Sequence, residues 1–261
     1  LSRLSVKIRA LRRAIDDMRV SFGSARYIHN ELKRHSVVQR AIAARIFDRH
    51  ISEAFRELGS SSSQNLQDLF VLTELDMMRG GYFVEFGAAD GIVNSNTYLL
   101  ETQYGWNGLV AEPARCWHDA LPENRKCSID LRCLWHTSGQ ELEFSEADNG
   151  EISTISQFQD ADKNAADRKN AVRYQVETVS LDDLLAQHKA PRRIDYLSID
   201  TEGSEFEILN AFDFDRYDIR VITCEHNFTP QRDKILALLS SKGYTRKFRE
   251  ISAMDDWYVR R

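Results

Sequence analysis

Tyr82-Phe83-Val84-Glu85-Phe86-Gly87-Ala88-Ala89-Asp90-Gly91 reads as a buried strand running straight into a glycine-bearing turn, with carboxylates at Glu85 and Asp90. An α/β fold builds a site for a nucleotide-like ligand in this way. A second apolar run, Leu109-Val110-Ala111-Glu112-Pro113, ends in an acid 25 residues after Gly87. A carboxylate there can take both hydroxyls of a ribose.

The turn also speaks to the ligand. Dinucleotide folds write Gly-x-Gly-x-x-Gly, because a pyrophosphate must approach bare backbone at a helix N-terminus. Here the glycines stand at 87 and 91, and Asp90 would set a negative charge where a pyrophosphate should lie. The acids suit a ligand with a cationic end, and S-adenosylmethionine carries a sulfonium, an ammonium and a ribose. The cofactor-binding candidates are Glu85, Gly87, Ala88, Asp90, Gly91, Asn96, Glu112 and Pro113. A nicotinamide-dependent oxidoreductase of similar fold is the alternative enzyme, disfavoured by Asp90 and the missing third glycine.

Outward from the turn, apolar runs alternate with helical patterns. Strands are expected over 82–86, 108–112, 129–134, 194–200 and 219–225, and helices over 67–78, 95–104, 181–187, 205–209 and 230–241. That alternation implies a mostly parallel sheet covered on both faces. Residues 244–248 and 256–260 read as an antiparallel hairpin at the sheet edge, and the polar stretch 145–175 as a cover over the site.

In an open α/β sheet the ligand sits outside the carboxyl ends of the strands. Two further strand ends carry polar clusters, Asp200-Thr201-Glu202-Gly203 and Cys224-Glu225-His226-Asn227. Methyl transfer from a sulfonium needs the reactants oriented and, for a hydroxyl acceptor, help in shedding a proton. Asp200, Glu202 and His226 are the catalytic candidates, His226 as a base titrating near neutrality. Asp200, Glu225 and Asn227 offer all-oxygen ligands that suit Mg²⁺, as in catechol O-methyltransferase and related sugar methyltransferases. Each cluster also fits a plain strand or helix cap.

Five segments together resemble the FkbM-type S-adenosylmethionine-dependent methyltransferases: residues 84–91, 110–113, 179–184, 194–205 and 224–226. The resemblance covers residues 64–261, and the segment around Asp200 is its most specific piece. The family's usual lysine before that aspartate is Ser198 here, and its more usual Asp-x-Gly opening is Glu85-Phe86-Gly87. It implies a Rossmann-like methyltransferase fold and O-methylation of a sugar, glycan or other hydroxyl-bearing metabolite. A third reading is a non-catalytic interaction module on a degenerate methyltransferase domain.

Composition sets the limits. The chain has 261 residues, 42% hydrophobic and 29% charged, which suits one domain with an appendage. No apolar run approaches the roughly 20 residues that span a bilayer. Cys116, Cys127, Cys133 and Cys224 lack Cys-x-x-Cys spacing, as reduced thiols of a cytoplasmic protein would. Residues 1–58 hold 13 Lys/Arg against 6 Asp/Glu, a net of +7, while the rest carries −12. The acidic part excludes a nucleic-acid track.

Leu1, Leu4, Ile8, Leu11, Ile15, Met18 and Phe22 alternate at spacings of three and four, the seam of a coiled coil. A second helical stretch is expected from Tyr27 to Leu58. Three readings of this 1–58 arm stay open: homo-oligomerisation, packing on its own domain, and contact of Arg12, Arg13, Arg19, Lys33, Arg34 and Arg40 with acidic lipid at the inner face of a membrane. Residues 59–63, Gly-Ser-Ser-Ser-Ser, read as a linker or hinge before a 64–261 catalytic domain.

Overall fold

The computed structural model describes residues 49–249 and 252–260, together with Val38, Ala41 and residues 45–47. The coiled-coil seam at 1–22 and the six basic residues at 12, 13, 19, 33, 34 and 40 lie outside the described residues.

Among the described residues, seven strands form the central sheet: β1 (Tyr82–Phe86), β2 (Asn107–Ala111), β3 (Ser128–Asp130), β8 (Arg193–Ile199), β9 (Asp218–Glu225), β10 (Tyr244–Lys247) and β11 (Asp255–Arg260). Their order is β10-β11-β9-β8-β1-β2-β3. All neighbours pair in parallel except β11, which runs antiparallel to both β9 and β10. The expected hairpin is therefore present, with β10 at the edge. The chain passes from β1 to β2 and β3 on one side, then crosses back to β8 and β9 on the other. This reversal beside β1 opens the crevice where α/β sheets hold ligands.

Period two divides each strand between two cores. Val84, Phe86, Leu197, Ile199, Ile222 and Cys224 face α5 (Leu181–Gln187), α6 (Glu205–Ala211) and α7 (Gln231–Ser241). Phe83, Val110, Tyr196 and Val221 face α2 (Gln67–Glu74), α3 (Tyr98–Tyr104) and α4 (Ala120–Asn124). Ala41, Ile46, Phe47 and Ala54 of α1 (Ile51–Glu57) belong to this second core.

Three expectations need correction. Residues 59–63 are no hinge: Ser61 and Ser63 are buried, Ser61 Oγ donates to Asp68, and Ser62 Oγ donates to the Ser95 carbonyl. The strand expected over 129–134 is two, because Asp130 Oδ1 accepts Arg132 N and turns the chain out of the main sheet. The cover is more ordered than a polar stretch suggests. Strands β4 (Cys133–Leu134), β5 (Glu141–Glu146), β6 (Thr154–Ile155) and β7 (Val172–Val179) build a second sheet, ordered β4-β7-β5-β6, over a small core of Trp135, Phe144, Ile155 and Val176.

Candidate active site

β1 ends at Phe86, and Gly87 turns the chain at φ +72°, where a Cβ would stand 1.9 Å from the Asp200 carbonyl oxygen. Only glycine lets the first turn lie this close to the end of β8. Gly87 N donates to the Ala111 carbonyl, and Asp200 N to that of Phe86, so three strand ends are tied at one level. A cavity of about 280 Å³ opens above them.

Glu112 stands at its β2 side. Its carboxylate accepts Ala89 N at 2.9 Å and Ala114 N at 2.8 Å, which fixes both oxygens while leaving lone pairs for a ligand. Burial raises its pKa to about 7, with the two backbone donors pulling against that shift. Pro113 and Asn96 also border the cavity. Asn96 Nδ2 donates to Ser198 Oγ, and its buried Oδ1 has no partner.

Glu85 borders the cavity too, yet its carboxylate is spent inward. Strand alternation places it on the face of Phe83, where it accepts Asn96 N, Ser95 Oγ, Thr97 Oγ1 and Arg125 Nη1. Arg125, fully buried, also binds Glu101 and the Gly91 carbonyl and lies over the Phe83 ring. Glu85 therefore holds the 91–97 loop rather than presenting a carboxylate to a ligand. The helix expected from Ser95 begins only at Tyr98 because Ser95 to Thr97 make these bonds.

Asp90, Gly91 and Ala88 do not line the cavity. Asp90 Oδ1 accepts Ile92 N and Val93 N, both at 2.8 Å, so its charge is committed to its own loop. Gly91 packs against Arg125 and Leu121. The acids that face the cavity lie instead at its far end.

There, Asp200, Glu202 and Glu225 bring carboxylate oxygens within 4.8 Å of one another. Asp200 hydrogen-bonds Glu225, and burial, reinforced by neighbouring acids, holds both well above the usual carboxylate range. Glu202, at φ +56°, takes Arg168 at 2.7 Å, Asn164 at 3.2 Å and Asn227 at 3.0 Å. Burial lifts it to about 7 against the opposing pull of Arg168. Glu205 accepts Thr201 N and Gly203 N at the start of α6, a helix-start role.

Two sequence candidates are displaced. His226 follows Glu225 and so points to the opposite side. Its Nδ1 accepts Phe228 N, its Nε2 lies 3.8 Å from Asp256, and burial lowers its pKa; it does not border the cavity and is no base for it. Asn227 directs its NH₂ at Glu202 and Asp162, so the third carboxylate beside Asp200 and Glu225 is Glu202.

Arg168 went unread in the sequence, where the polar stretch around it gives no signal. It is 2% exposed and ties the cover to the strand end, binding Glu202, Asp162 and the Ile152 carbonyl. Thr154 Oγ1 adds a bond to the Glu202 carbonyl. The cover lines the cavity through Gly150 to Ser153, Lys163 and Asn164, as a cover should. Phe228, 64% exposed at φ +58°, stands next to Asn227, with Lys163 Nζ 6.0 Å from its ring centre.

The model of the methyltransferase FkbM domain matches residues 85–246. The chain belongs to the FkbM methyltransferase family. Among solved structures it is similar to a methyltransferase FkbM from Methylobacillus flagellatus KT, at 12% identity and TM-score 0.44, over 83% of this chain and 60% of that one. It is also similar to a precorrin-6y C5,15-methyltransferase from Geobacter metallireducens GS-15, at 11% identity and TM-score 0.41, over 76% of this chain and 88% of that one. No curated protein matches. Membership of the FkbM family makes the cavity the place to look for methyl transfer, and leaves the nicotinamide alternative without support.

Proposed function

We propose that the chain is an S-adenosylmethionine-dependent O-methyltransferase whose acceptor is a hydroxyl of a sugar, glycan or sugar-containing metabolite. The observation that carries this is the pairing of two unlike ends in one cavity. Glu112, held by two backbone N–H groups, is at one end, and the Asp200, Glu202 and Glu225 carboxylates are at the other.

The residues present fit the cofactor. The Gly87 cradle admits close approach, Glu112 has lone pairs for ribose hydroxyls, and the unpartnered Asn96 Oδ1 can take an N–H or O–H donor. S-adenosylmethionine, when bound, supplies a methyl group on an already activated sulfonium. Negative charge at the Asp200 end favours its cationic part there. At the same end a carboxylate of this cluster in its ionised form assists the acceptor in losing its proton. The cover, pinned by Arg168, walls one side of the cavity through Gly150 to Ser153, Lys163 and Asn164. Asn164, Asn227 and the exposed Phe228 ring offer the mixture of amides and an aromatic face that suits a polyhydroxylated ring.

A screen of cell-envelope sugars with radiolabelled methyl donor tests this reading. Label on a sugar hydroxyl, lost in Asp200→Ala, supports it; label on nitrogen or carbon, or transfer undiminished in that variant, overturns it.

A further inference from the structure

The rim of the cavity carries a cation for which the methyl-transfer chemistry has no use. Two basic side chains line the cavity among the described residues, Arg132 and Lys163. Arg132 is spent on Asp130 at 2.6 Å and on Gln187 at 2.8 Å. Lys163 is exposed and forms no ion pair among the described residues. Its Nζ lies 3.9 Å from Met254 Sδ and 6.0 Å from the centre of the Phe228 ring. An ammonium set beside a thioether and an aromatic ring, in a cavity whose acids it does not meet, is left open to an anion from outside.

The turn that carries Lys163 is anchored on both sides. Asp162 Oδ1 accepts Asn164 N at 2.8 Å, and the two Asp162 oxygens take Arg168 at 2.8 and 3.1 Å. Asn164 Nδ2 donates to Glu202 at 3.2 Å, so the backbone around Lys163 is tied to the buried strand end. Phe228 is held as firmly. It is 64% exposed, yet it stands at φ +58° directly after Asn227 at +42°. Its N–H donates to the buried His226 Nδ1 at 3.0 Å, and its ring meets that imidazole edge-on at 5.3 Å. Two successive left-handed residues cost backbone energy, and a phenyl ring in water gains nothing. A ligand that covers the ring offsets both.

We propose that Lys163 and Phe228 together select an acceptor sugar bearing an anionic group, a carboxylate or a phosphate, on its polyhydroxylated ring. This selection rests on the methyltransferase reading and names the substrate class for that same site. The apolar face of the sugar covers the Phe228 ring, the anion meets the Lys163 ammonium, and a hydroxyl on the opposite part of the sugar reaches the Asp200 end. Coulomb's law sets that orientation. An acidic group turned toward Asp200, Glu202 and Glu225 is repelled, whereas at the rim it meets a lining cation that no carboxylate has taken.

The test uses the full chain, S-adenosylmethionine and a panel of methyl glycosides in which each uronic acid is matched by its neutral 6-hydroxyl sugar and by the sugar 6-phosphate. Acidic members should show a KM about 5- to 15-fold below their neutral counterparts, between an exposed ion pair at its strongest and a charge-assisted hydrogen bond at its weakest. The advantage should shrink with added salt, vanish in Lys163→Met and survive in Lys163→Arg, while Phe228→Ala should raise KM for acidic and neutral members alike. The larger gain, with carboxylate or with phosphate, identifies the anion. Equal KM for acidic and neutral sugars, or a preference that Lys163→Met leaves intact, overturns the proposal while methyl transfer to sugar hydroxyls stands. Weaker S-adenosylmethionine binding in Lys163→Met, read by calorimetry, also overturns it, since the ammonium would then hold the cofactor's own carboxylate. If no sugar is methylated, saturation-transfer NMR with the same panel decides. Acidic sugars bound through Lys163 would keep the anion site and strike the methyl-transfer reading, and equal binding of acidic and neutral sugars would strike both.

Discussion

Replacing Arg125 with Met deletes a guanidinium whose side chain is 0% exposed while keeping most of its apolar stem. Glu85, 3% exposed at its side chain, and Glu101, 10% exposed, lose their buried partner together. Ser95 Oγ, Thr97 Oγ1 and the Gly91 carbonyl each lose a contact as well. Breaking a buried pair from one side costs about 3 to 5 kcal/mol, because the remaining charge is stranded. For a chain of this size that is a fall of about 10 °C in melting temperature. Urea denaturation gives the loss, and the variant combined with Glu85→Gln gives the coupling, expected to exceed about 1 kcal/mol. A loss below about 1 kcal/mol, or simple additivity, would refute the view that Glu85 works from inside the loop.

Glu112 titrates near 7 in the folded chain against 4.5 ordinarily, so the folded state binds more protons between these values. Its contribution to stability should fall as pH rises through that window, by at most about 3.5 kcal/mol at about 1.4 kcal/mol per unit; Glu112→Ala should flatten the profile measured by chemical denaturation. Hydroxyl donors favour the ionised carboxylate, so calorimetry should show S-adenosylmethionine binding more tightly as pH rises through 7. Truncation at residue 58 removes Ala41, Ile46, Phe47 and Ala54 from the core. Burying a large apolar side chain is worth about 1.5 to 3 kcal/mol, so the shortened chain should lose about 5 kcal/mol in a denaturant titration. Phe228→Ala, at an exposed position, should leave stability within about 0.5 kcal/mol. Steady-state kinetics should then show a raised KM for the acceptor with kcat unchanged.

The parts of the site legible in the sequence were those written contiguously. The Gly87 turn, Glu112 and the Asp200 segment each sit at the end of an apolar run, and strand parity sends Asp200 and Glu225 to the face of Glu85. The same parity turns His226 away, a signal present in the sequence and outweighed by the chemistry of imidazole. Asp90 was misassigned because a carboxylate that caps its own loop looks, in sequence, like one that faces a ligand. Arg125 and Arg168 could not be read, since a buried guanidinium differs from a surface one only through partners far along the chain. The second sheet was missed because β4 and β6 are two residues each, and β5 alternates apolar side chains only at Leu142 and Phe144.

The cavity above Gly87 is the proposed seat of S-adenosylmethionine. Isothermal titration of the full chain with that ligand, alongside Gly87→Ala and Glu112→Ala variants shown by circular dichroism to be folded, tests it directly. Saturable binding to one site, weakened in Glu112→Ala and lost in Gly87→Ala where the added Cβ meets the Asp200 carbonyl, is predicted. A folded wild-type chain that binds nothing, or variants that bind as well as wild type, would contradict it.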